Sequence, residues 1–345
     1  MASSRPHIYA FFRAVCLLAF ATVSISAASA QTLEQVRKRG YLICAASQPQ
    51  PGFAQKSAEG FWSGFDVDFC RAVSAAVFGD PGKVEFRPLG GNARFAQLQV
   101  GEVDVVARNA PWTMWRDISY QANYVGTSFF DGQTFIVRQS VGVVSAYELA
   151  DLSVCVTAGG DDQNNLADFF FENQIEYTEV LYEDRTDLLV AYRSGLCDAV
   201  SAPASWLYAI MRNLSDPAVH RILPERISKS PLGPVVREGD DEWFNIVKWV
   251  LYAQLNAEEL GVNSLNLESM AAVKTPAIRR FLGLESDFGK AIGLEPDWMQ
   301  SVIGSVGNYG EMYDRNFGPQ TGAELLRGPN ALWTQGGLLF APPIR

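Results

Sequence analysis

Apolar residues along the chain alternate between short continuous runs and segments in which they recur three and four positions apart. The runs predict strands at residues 41–45, 84–86, 103–107, 152–156, 177–182 and 199–201. The spaced segments predict a helix capped by Asp66 or Asp68, further helices at 94–100, 164–171 and 186–193, and a long amphipathic helix from Asp241. Strands alternating with helices over this length favour an α/β fold.

This pattern occurs twice, and the junctions between helix and strand match. The sequence reads GEVD at 101–104 and GLCD at 195–198, each time between a predicted helix and a predicted strand. Glycine ends the helix, and the acid suits the turn into a buried strand. The repetition predicts two similarly built lobes, which also agrees with a length too great for one core.

Two short extended segments, residues 134–138 and 232–237, are candidates for crossings between the lobes. They predict a discontinuous first lobe made of residues 31–136 and 234–345, with a C-terminal helical extension. Residues 137–233 form the inserted second lobe.

The first 30 residues have the features of a secretory signal peptide. Arg5 and Arg13 precede an apolar run at 14–21, and Ala28-Ser29-Ala30 supplies a cleavage site of the A-x-A type. The alternative is an uncleaved membrane anchor, but the run is shorter than the roughly 20 apolar residues that a span requires. We therefore expect export to the periplasm, with the mature chain starting at Gln31.

Composition excludes several classes of protein. The chain has 345 residues, 48% hydrophobic and 19% charged, as in globular proteins. Its net charge is −10, which disfavours nucleic-acid binding because phosphate contacts require clustered Lys and Arg. No continuous apolar run past the N-terminus is long enough to predict an internal membrane span.

Four cysteines remain after the predicted cleavage: Cys44, Cys70, Cys155 and Cys197. An even number in an oxidising compartment predicts two disulfides, for which four cysteines allow three pairings. Zinc is the competing interpretation. It is disfavoured because no two cysteines have the close spacing of a zinc knuckle and because His220 is the one histidine left.

Several motifs resemble segments of the periplasmic amino-acid-binding proteins of ABC importers. They are GFDVDFCRAV at 64–73, GEVD at 101–104, WTMWRD at 112–117 and DGQTFIVR at 131–138. Four later motifs resemble the general L-amino-acid-binding branch of that family, namely SPLGP at 230–234, GDDEWF at 239–244, VGNYG at 306–310 and LWTQGG at 332–337. The resemblance extends over residues 31–345.

The resemblance implies a type II periplasmic binding protein, with two α/β domains joined by a two-strand hinge. It further implies a monomer that takes a small-molecule ligand, an amino acid or related carboxylate, to an inner-membrane ABC permease. No enzyme activity, cofactor, metal or nucleic acid is expected. Because a bond between lobes would restrain their closure, we expect the disulfides Cys44–Cys70 and Cys155–Cys197.

The same resemblance implies the ligand-binding residues. Arg116, twelve residues past Asp104, matches the arginine that holds the ligand carboxylate, although an exposed pair with Asp117 is the alternative. Phe53 matches an aromatic over the ligand side chain, or else a core aromatic. Thr113 matches a hydroxyl donor, or else a local cap. The remaining predicted site residues are Arg108, Asn109, Gly160, Asp161 and Pro203.

Three positions depart from the family pattern. Pro111 replaces a carboxylate-binding threonine, Gly159-Gly160-Asp161-Asp162 replaces a Gly-Thr-Thr loop, and Pro203 replaces the aspartate that pairs with the ligand ammonium. Asp161 or Asp162 could supply that anion, or both could be acids at the start of a helix, which the helix dipole favours. Trp112, Trp115 and Trp206 could form an aromatic cage, or could simply pack.

The missing aspartate predicts weaker binding of ordinary L-amino acids, because an ammonium enclosed without a partner is costly. Two other functions stay open. One is a sensor that docks to a receptor instead of a permease. The other is a dehydratase of prephenate-like acids, disfavoured because no poised acid or base is evident near the site.

Overall fold

The computed structural model describes residues 32–47, 49–91, 93–321 and 325–345. The predicted signal peptide at 1–30 lies outside these residues. The strands are β1 (Leu42–Ala46), β2 (Gln55–Lys56), β3 (Trp62–Ser63), β4 (Val84–Pro88), β5 (Val105–Val106), β6 (Ala122–Tyr124), β7 (Phe129–Asp131), β8 (Gln133–Arg138), β9 (Ser153–Thr157), β10 (Thr178–Tyr182), β11 (Ala199–Pro203), β12 (His220–Ile222), β13 (Ser230–Leu232) and β14 (Val235–Arg237).

The helices alternate with these strands up to β14 and then continue alone. They are α1 (Thr32–Arg39), α2 (Phe65–Phe78), α3 (Ala93–Gln99), α4 (Met114–Ser119), α5 (Asp161–Glu172), α6 (Arg185–Ser194), α7 (Ala204–Met211), α8 (Asp241–Glu259), α9 (Leu267–Ala271), α10 (Pro276–Phe281), α11 (Phe288–Ala291), α12 (Trp298–Val306) and α13 (Tyr309–Phe317). The predicted strands and helices are therefore present, with shifted ends.

Two five-stranded sheets share one arrangement of parallel and antiparallel strands. Their strand orders are β4-β1-β5-β14-β6 and β10-β9-β11-β8-β12. In each sheet the first three strands are parallel, and the fourth runs antiparallel to both of its neighbours. The α/β prediction with two similarly built halves is confirmed. We call the first sheet with its helices lobe 1 and the second lobe 2.

The two Gly-x-x-Asp turns have the same structural role in both lobes. The Asp104 carboxylate accepts a hydrogen bond from the Ile43 N–H at 2.7 Å, and Asp198 accepts one from the Ser153 N–H at 2.9 Å. Each acid therefore ties the turn before one strand to the start of the neighbouring strand. Asp104 is also paired with Arg39, whereas Asp198 accepts a further bond from the Ser153 hydroxyl at 2.6 Å.

The chain passes from the first sheet to the second through β7 and returns through β13. These two strands pair antiparallel, with Asp131 opposite Ser230 and Phe129 opposite Leu232. The segments expected as crossings lie mostly within the sheets, since 134–138 belongs to β8 and 235–237 is β14. The crossing pair is one strand earlier in each direction because β8 contributes its whole length to the second sheet.

Helix α2 begins differently from the prediction. Asp66 and Asp68 lie inside its first turn, and Gly64 is the N-terminal flanking residue with no side-chain cap. Gly64 has φ 135°, and a Cβ there would come 2.1 Å from the Phe53 carbonyl oxygen. Glycine is required at this position because both the backbone angle and the close approach exclude a side chain.

Both disulfides have the predicted pairing. Cys44 on β1 bonds Cys70 on α2, with Cα atoms 6.3 Å apart, and Cys155 on β9 bonds Cys197 at 5.9 Å. Each bond stays within one lobe. Among the described residues, no helix is both long and apolar enough to span a membrane.

Candidate ligand-binding cleft

A cavity of about 290 Å³ lies between the lobes, where the carboxyl ends of β5, β9 and β11 meet. Ligands of open α/β sheets bind at such ends, because the loops that follow the strands converge there. Its lining consists of Gln50, Arg94, Arg108, Asn109, Pro111, Arg116, Asp131, Thr157, Gly160, Asp161, Asp162, Asn165, Arg185, Pro203, Ser230 and Leu232. Four arginines and three aspartates make this cleft strongly charged.

Arg116 crosses the cleft. Its guanidinium donates to the Pro111 carbonyl at 3.2 Å within lobe 1 and to the Asp161 carboxylate at 2.8 Å in lobe 2. Pro111 is itself held, since the Tyr124 hydroxyl donates to the same carbonyl at 2.8 Å. Arg116 is thus aimed by its own lobe and meets a carboxylate of the other. The alternative of a pair with Asp117 is not what the structure shows.

Thr113 acts as a helix cap. It precedes α4, and its hydroxyl accepts the Arg116 N–H at 3.3 Å. Thr113 is absent from the cavity lining, so its predicted role as a donor to the ligand is not supported by this structure. It positions Arg116 through the backbone instead.

Phe53 lies in the core of lobe 1 and away from the cavity. Its side chain is fully buried against Phe65, Phe129 and Phe317, with ring centroids 5.0–6.4 Å away. The expected contact with a ligand is therefore replaced by the core-aromatic alternative. Gln50, three residues earlier, lines the cavity in its place.

The three tryptophans do not form a cage. Trp112 stacks on Tyr124 with centroids 5.2 Å apart, Trp115 is exposed, and Trp206 is buried with Arg185 over its ring. Of the described residues that line the cavity, none is a tryptophan. Trp112 and Trp206 therefore pack against neighbouring side chains, as the alternative interpretation proposed, whereas Trp115 faces outward.

The lobe 2 side of the cleft is the start of α5. Gly160 flanks the helix and Asp161 and Asp162 open it, so the helix dipole favours both acids. Asp162 is already occupied, because Arg185 donates to its carboxylate at 3.2 Å. Burial raises the pKa of Asp162, and Arg185 opposes that shift. Asp161 is half exposed and faces Arg116, so it is the acid that a ligand can reach.

Pro203 ends β11 and lines the cleft as predicted, but it carries neither charge nor N–H. Arg108 and Asn109 follow β5 and also line it. Asn109 has φ 28°, and its N–H donates to the Asp66 carboxylate at 2.7 Å. Burial raises the pKa of Asp66 to about 7, against the opposing effects of that bond and of Arg108. Asp66 therefore fixes the loop that carries Arg108.

The sequence reasoning missed Arg94, Arg185 and Asp131. Arg94 is 5% exposed and lies on the inward side of α3 with Phe95 and Leu98. Burial, together with repulsion from Arg108 and Arg116, lowers the pKa of Arg94 to about 10, so it is charged at neutral pH. A charged residue at an apolar-face position of a predicted helix was the available signal.

A larger cavity of about 690 Å³ is lined by α2, the end of α7 and the C-terminal segment. Its buried acid, Asp68, already accepts bonds from Arg315 and Asn316, both at 2.9 Å. The cleft differs in its position, because it lies at the carboxyl ends of strands from both sheets. In the described ranges, no group of three or more His, Cys, Asp and Glu could hold a metal ion.

Comparison with known proteins gives the same class. Residues 42–261 match the family of bacterial extracellular solute-binding proteins, family 3. The general L-amino acid-binding periplasmic protein AapJ of Rhizobium johnstonii is 46% identical over 94% of this chain and 95% of its own length. The glutamate/glutamine/aspartate/asparagine-binding protein BztA of Rhodobacter capsulatus is 48% identical over 97% and 99%.

Among solved structures, a periplasmic binding protein of an ABC transporter from Brucella ovis, with glutathione bound, is 44% identical. It has a TM-score of 0.87 and covers 92% of this chain and 100% of its own. An ancestral arginine-binding protein at 23% identity and TM-score 0.52 shares the fold. The two-lobed architecture, the cleft at the strand ends and the family match lead to one conclusion: this chain belongs to the bacterial extracellular solute-binding proteins, family 3.

Proposed function

We propose that this protein is the periplasmic substrate-binding component of an ABC importer and that it captures amino acids or related amino carboxylates. The observation that carries the proposal is the Arg116–Asp161 contact across the cleft, which brings a carboxylate-binding group and an ammonium-binding group into one cavity. The similarity to AapJ and BztA, both amino-acid-binding proteins, supports it.

In this proposal the ligand replaces the Arg116–Asp161 contact. Guanidinium binds a carboxylate in a planar, bidentate fashion, so the ligand carboxylate takes the place of Asp161 on Arg116. Asp161 then turns to the ligand ammonium and does the work of the aspartate that Pro203 replaces. Asp161 is half exposed, so releasing it from Arg116 costs little.

Closure follows from this arrangement, because a ligand shifts the open–closed equilibrium by binding both lobes better when they are closed. We place the hinge at β7 and β13, with lobe boundaries near residues 132 and 233. The domain division expected from the sequence is thereby kept, with the first boundary moved from residue 136 to the end of β7 and the second left at residue 233.

The proposal also includes three further points: the protein delivers its ligand to an inner-membrane permease, it is a monomer, and it does not convert its ligand. Uptake of the ligand in cells that carry or lack this gene separates transport from a sensor that docks to a receptor. A dehydratase would convert prephenate-like acids, and we expect no conversion. His220 shares a hydrogen bond of 2.7 Å with the Tyr192 hydroxyl in lobe 2 and is not part of the cavity lining.

Calorimetric screening of amino acids, their deaminated analogues and N-substituted derivatives tests the ligand class. We expect amino acids to bind and the other two classes to bind at least about 30-fold more weakly, as when an enclosed charge loses its partner. Asp161→Asn should lower amino-acid affinity by a similar factor. Asp168→Asn on the exposed side of the same helix removes the same charge and is the matched control.

Undiminished binding in an Asp161→Asn/Asp162→Asn variant would show that the ammonium does not bind at the start of α5. Preferential binding of the deaminated analogues would instead restore the expectation, drawn from Pro203, of a ligand without an ammonium group.

A further inference from the structure

Arg94 and Arg108 differ from the other two arginines of the cleft. Arg116 is paired with Asp161 and Arg185 with Asp162. Within the described residues, neither Arg94 nor Arg108 forms a salt bridge, and the Nε atom of each is buried without a hydrogen-bond partner. Half of the positive charge lining the cleft therefore lacks a direct counter-ion.

The neighbouring acids are committed elsewhere. Asp66, whose negative charge favours the charged form of Arg108, accepts a hydrogen bond from the Asn109 N–H. Asp131 accepts bonds from the Gly132 N–H at 2.9 Å and from the Ser205 N–H and hydroxyl. Neither carboxylate forms a hydrogen bond with a cleft arginine in the described part of the chain. Among the residues that the structure describes, the Arg94 guanidinium donates one hydrogen bond, to the Gly91 carbonyl at 2.6 Å.

Holding two such guanidinium groups together is costly. Arg94 is 5% exposed and lies close enough to Arg108 for the two charges to repel. Buried polar groups are ordinarily hydrogen-bonded, and a buried unpaired charge is tolerated where a partner arrives with the ligand. Both arginines line the cleft, so a second ligand carboxylate there would supply the missing counter-charge and offset the repulsion.

We infer that Arg94 and Arg108 form a second anion subsite and that the ligands this protein binds best are amino dicarboxylates. The first carboxylate and the ammonium occupy Arg116 and Asp161, as in the proposed function on which this inference rests. The second carboxylate, from an acidic side chain or the far end of a short γ-glutamyl-type peptide, occupies Arg94 and Arg108. Amides of the same shape bring no charge to this subsite.

Isothermal titration calorimetry with L-glutamate and L-glutamine tests the subsite, because the two probes differ in one charged group. We expect wild-type protein to bind glutamate at least about 10-fold more tightly than glutamine, as a charge-assisted pair warrants. Arg108→Gln should reduce that ratio to within about 3-fold, because most of the lost affinity is for glutamate. Arg87→Gln, on β4 and outside the cavity, is the matched control.

Arg94→Gln should also reduce the ratio of glutamate to glutamine affinity, and a melting curve shows whether this variant folds. Because Arg108 is less buried than Arg94, its variant keeps the test decisive if Arg94→Gln does not fold. Glutathione against its glycine monoethyl ester extends the comparison to a longer dicarboxylate, for which we expect the ester to bind at least about 10-fold more weakly.

Equal wild-type affinity for glutamate and glutamine would overturn the second subsite and leave the proposed function intact. An equal loss of both ligands in Arg108→Gln would do the same, since it would mean that Arg108 supports the cleft as a whole. If none of the four probes binds wild-type protein, the subsite is wrong, and the proposed amino-carboxylate ligand is wrong as well only if the wider calorimetric screen finds no amino acid that binds.

Discussion

The two lobes share a framework but present opposite charges to the cleft. Both have five strands in the same parallel and antiparallel arrangement, one internal disulfide and an aspartate that ties a turn to a strand start. Lobe 1 places Arg94, Arg108 and Arg116 at the cleft, whereas lobe 2 places Asp161 and Asp162 there, with Arg185 paired to the latter. The framework is duplicated, whereas the charged residues that face the cleft differ between the lobes.

Removing each disulfide in turn tests whether the lobes are independent versions of one framework. The bonds close loops of 26 and 42 residues, for which chain entropy gives about 3.5 and about 4 kcal/mol of unfolding free energy. We expect Cys44→Ala/Cys70→Ala to loosen lobe 1 and Cys155→Ala/Cys197→Ala to loosen lobe 2. Hydrogen exchange resolved by peptide reports each lobe separately.

If the lobe that keeps its disulfide loses as much protection from hydrogen exchange as the lobe without one, the two lobes are not independent. Non-reducing peptide mapping of the wild-type protein is the control, because a bridge between lobes would invalidate both variants.

Removing charge from the lobe 1 side tests the asymmetry of the cleft. Arg116→Gln should weaken the ligand found in the calorimetric screen by about 30- to 100-fold, equivalent to roughly 2–3 kcal/mol. Melting of the ligand-free protein should stay nearly unchanged, because the Asp161 partner is half exposed. Unchanged affinity would remove Arg116 from the ligand site, and a large drop in melting temperature would make its role structural.

The smallest expected effect concerns Asp104 and Asp198, the equivalent aspartates of the two Gly-x-x-Asp turns. Hydrogen bonds from Ser153 lower the pKa of Asp198 below 3.8, so its contribution to stability is present above that pH and is lost as pH falls through its folded pKa. Burial raises the pKa of Asp104 above 3.8, although the hydrogen bond from Ile43 and the charge of Arg39 oppose that shift. The stability that Asp104 contributes therefore falls as pH rises from 3.8 toward its folded pKa.

Urea unfolding between about pH 3 and 6 measures this difference. Relative to wild type, Asp198→Asn should flatten the rise of the unfolding free energy with pH, and Asp104→Asn should steepen it. Equal changes of slope in the two variants would show that the two turns have the same electrostatic environment as well as the same geometry.

The framework could be predicted because its signals are local and repeated. Apolar periodicity indicated the strands, and the matching GEVD and GLCD turns indicated two equivalent halves. The start of α2 and the crossing strands were harder to predict. At the start of α2, Gly64 is required because the Phe53 backbone approaches it closely, and sequence spacing does not reveal that approach.

The cleft was only partly predictable, since its chemistry depends on which segments of the two lobes come together. Arg116 and Asp161 were each candidates, but their contact joins residues 45 apart in sequence and in different lobes. Arg94 carried no motif, and its importance comes from being buried near other guanidinium groups. Phe53 followed the family pattern in sequence, yet the packing of Phe129 and Phe317 around it determined its role.

A crystal structure of the protein with its calorimetrically identified ligand tests the central claim most directly. We predict a ligand carboxylate within about 3 Å of the Arg116 guanidinium and Asp161 turned away from Arg116 onto the ligand ammonium. A ligand bound in the cleft while the Arg116–Asp161 pair remains intact would contradict the claim that exchange of this contact closes the lobes.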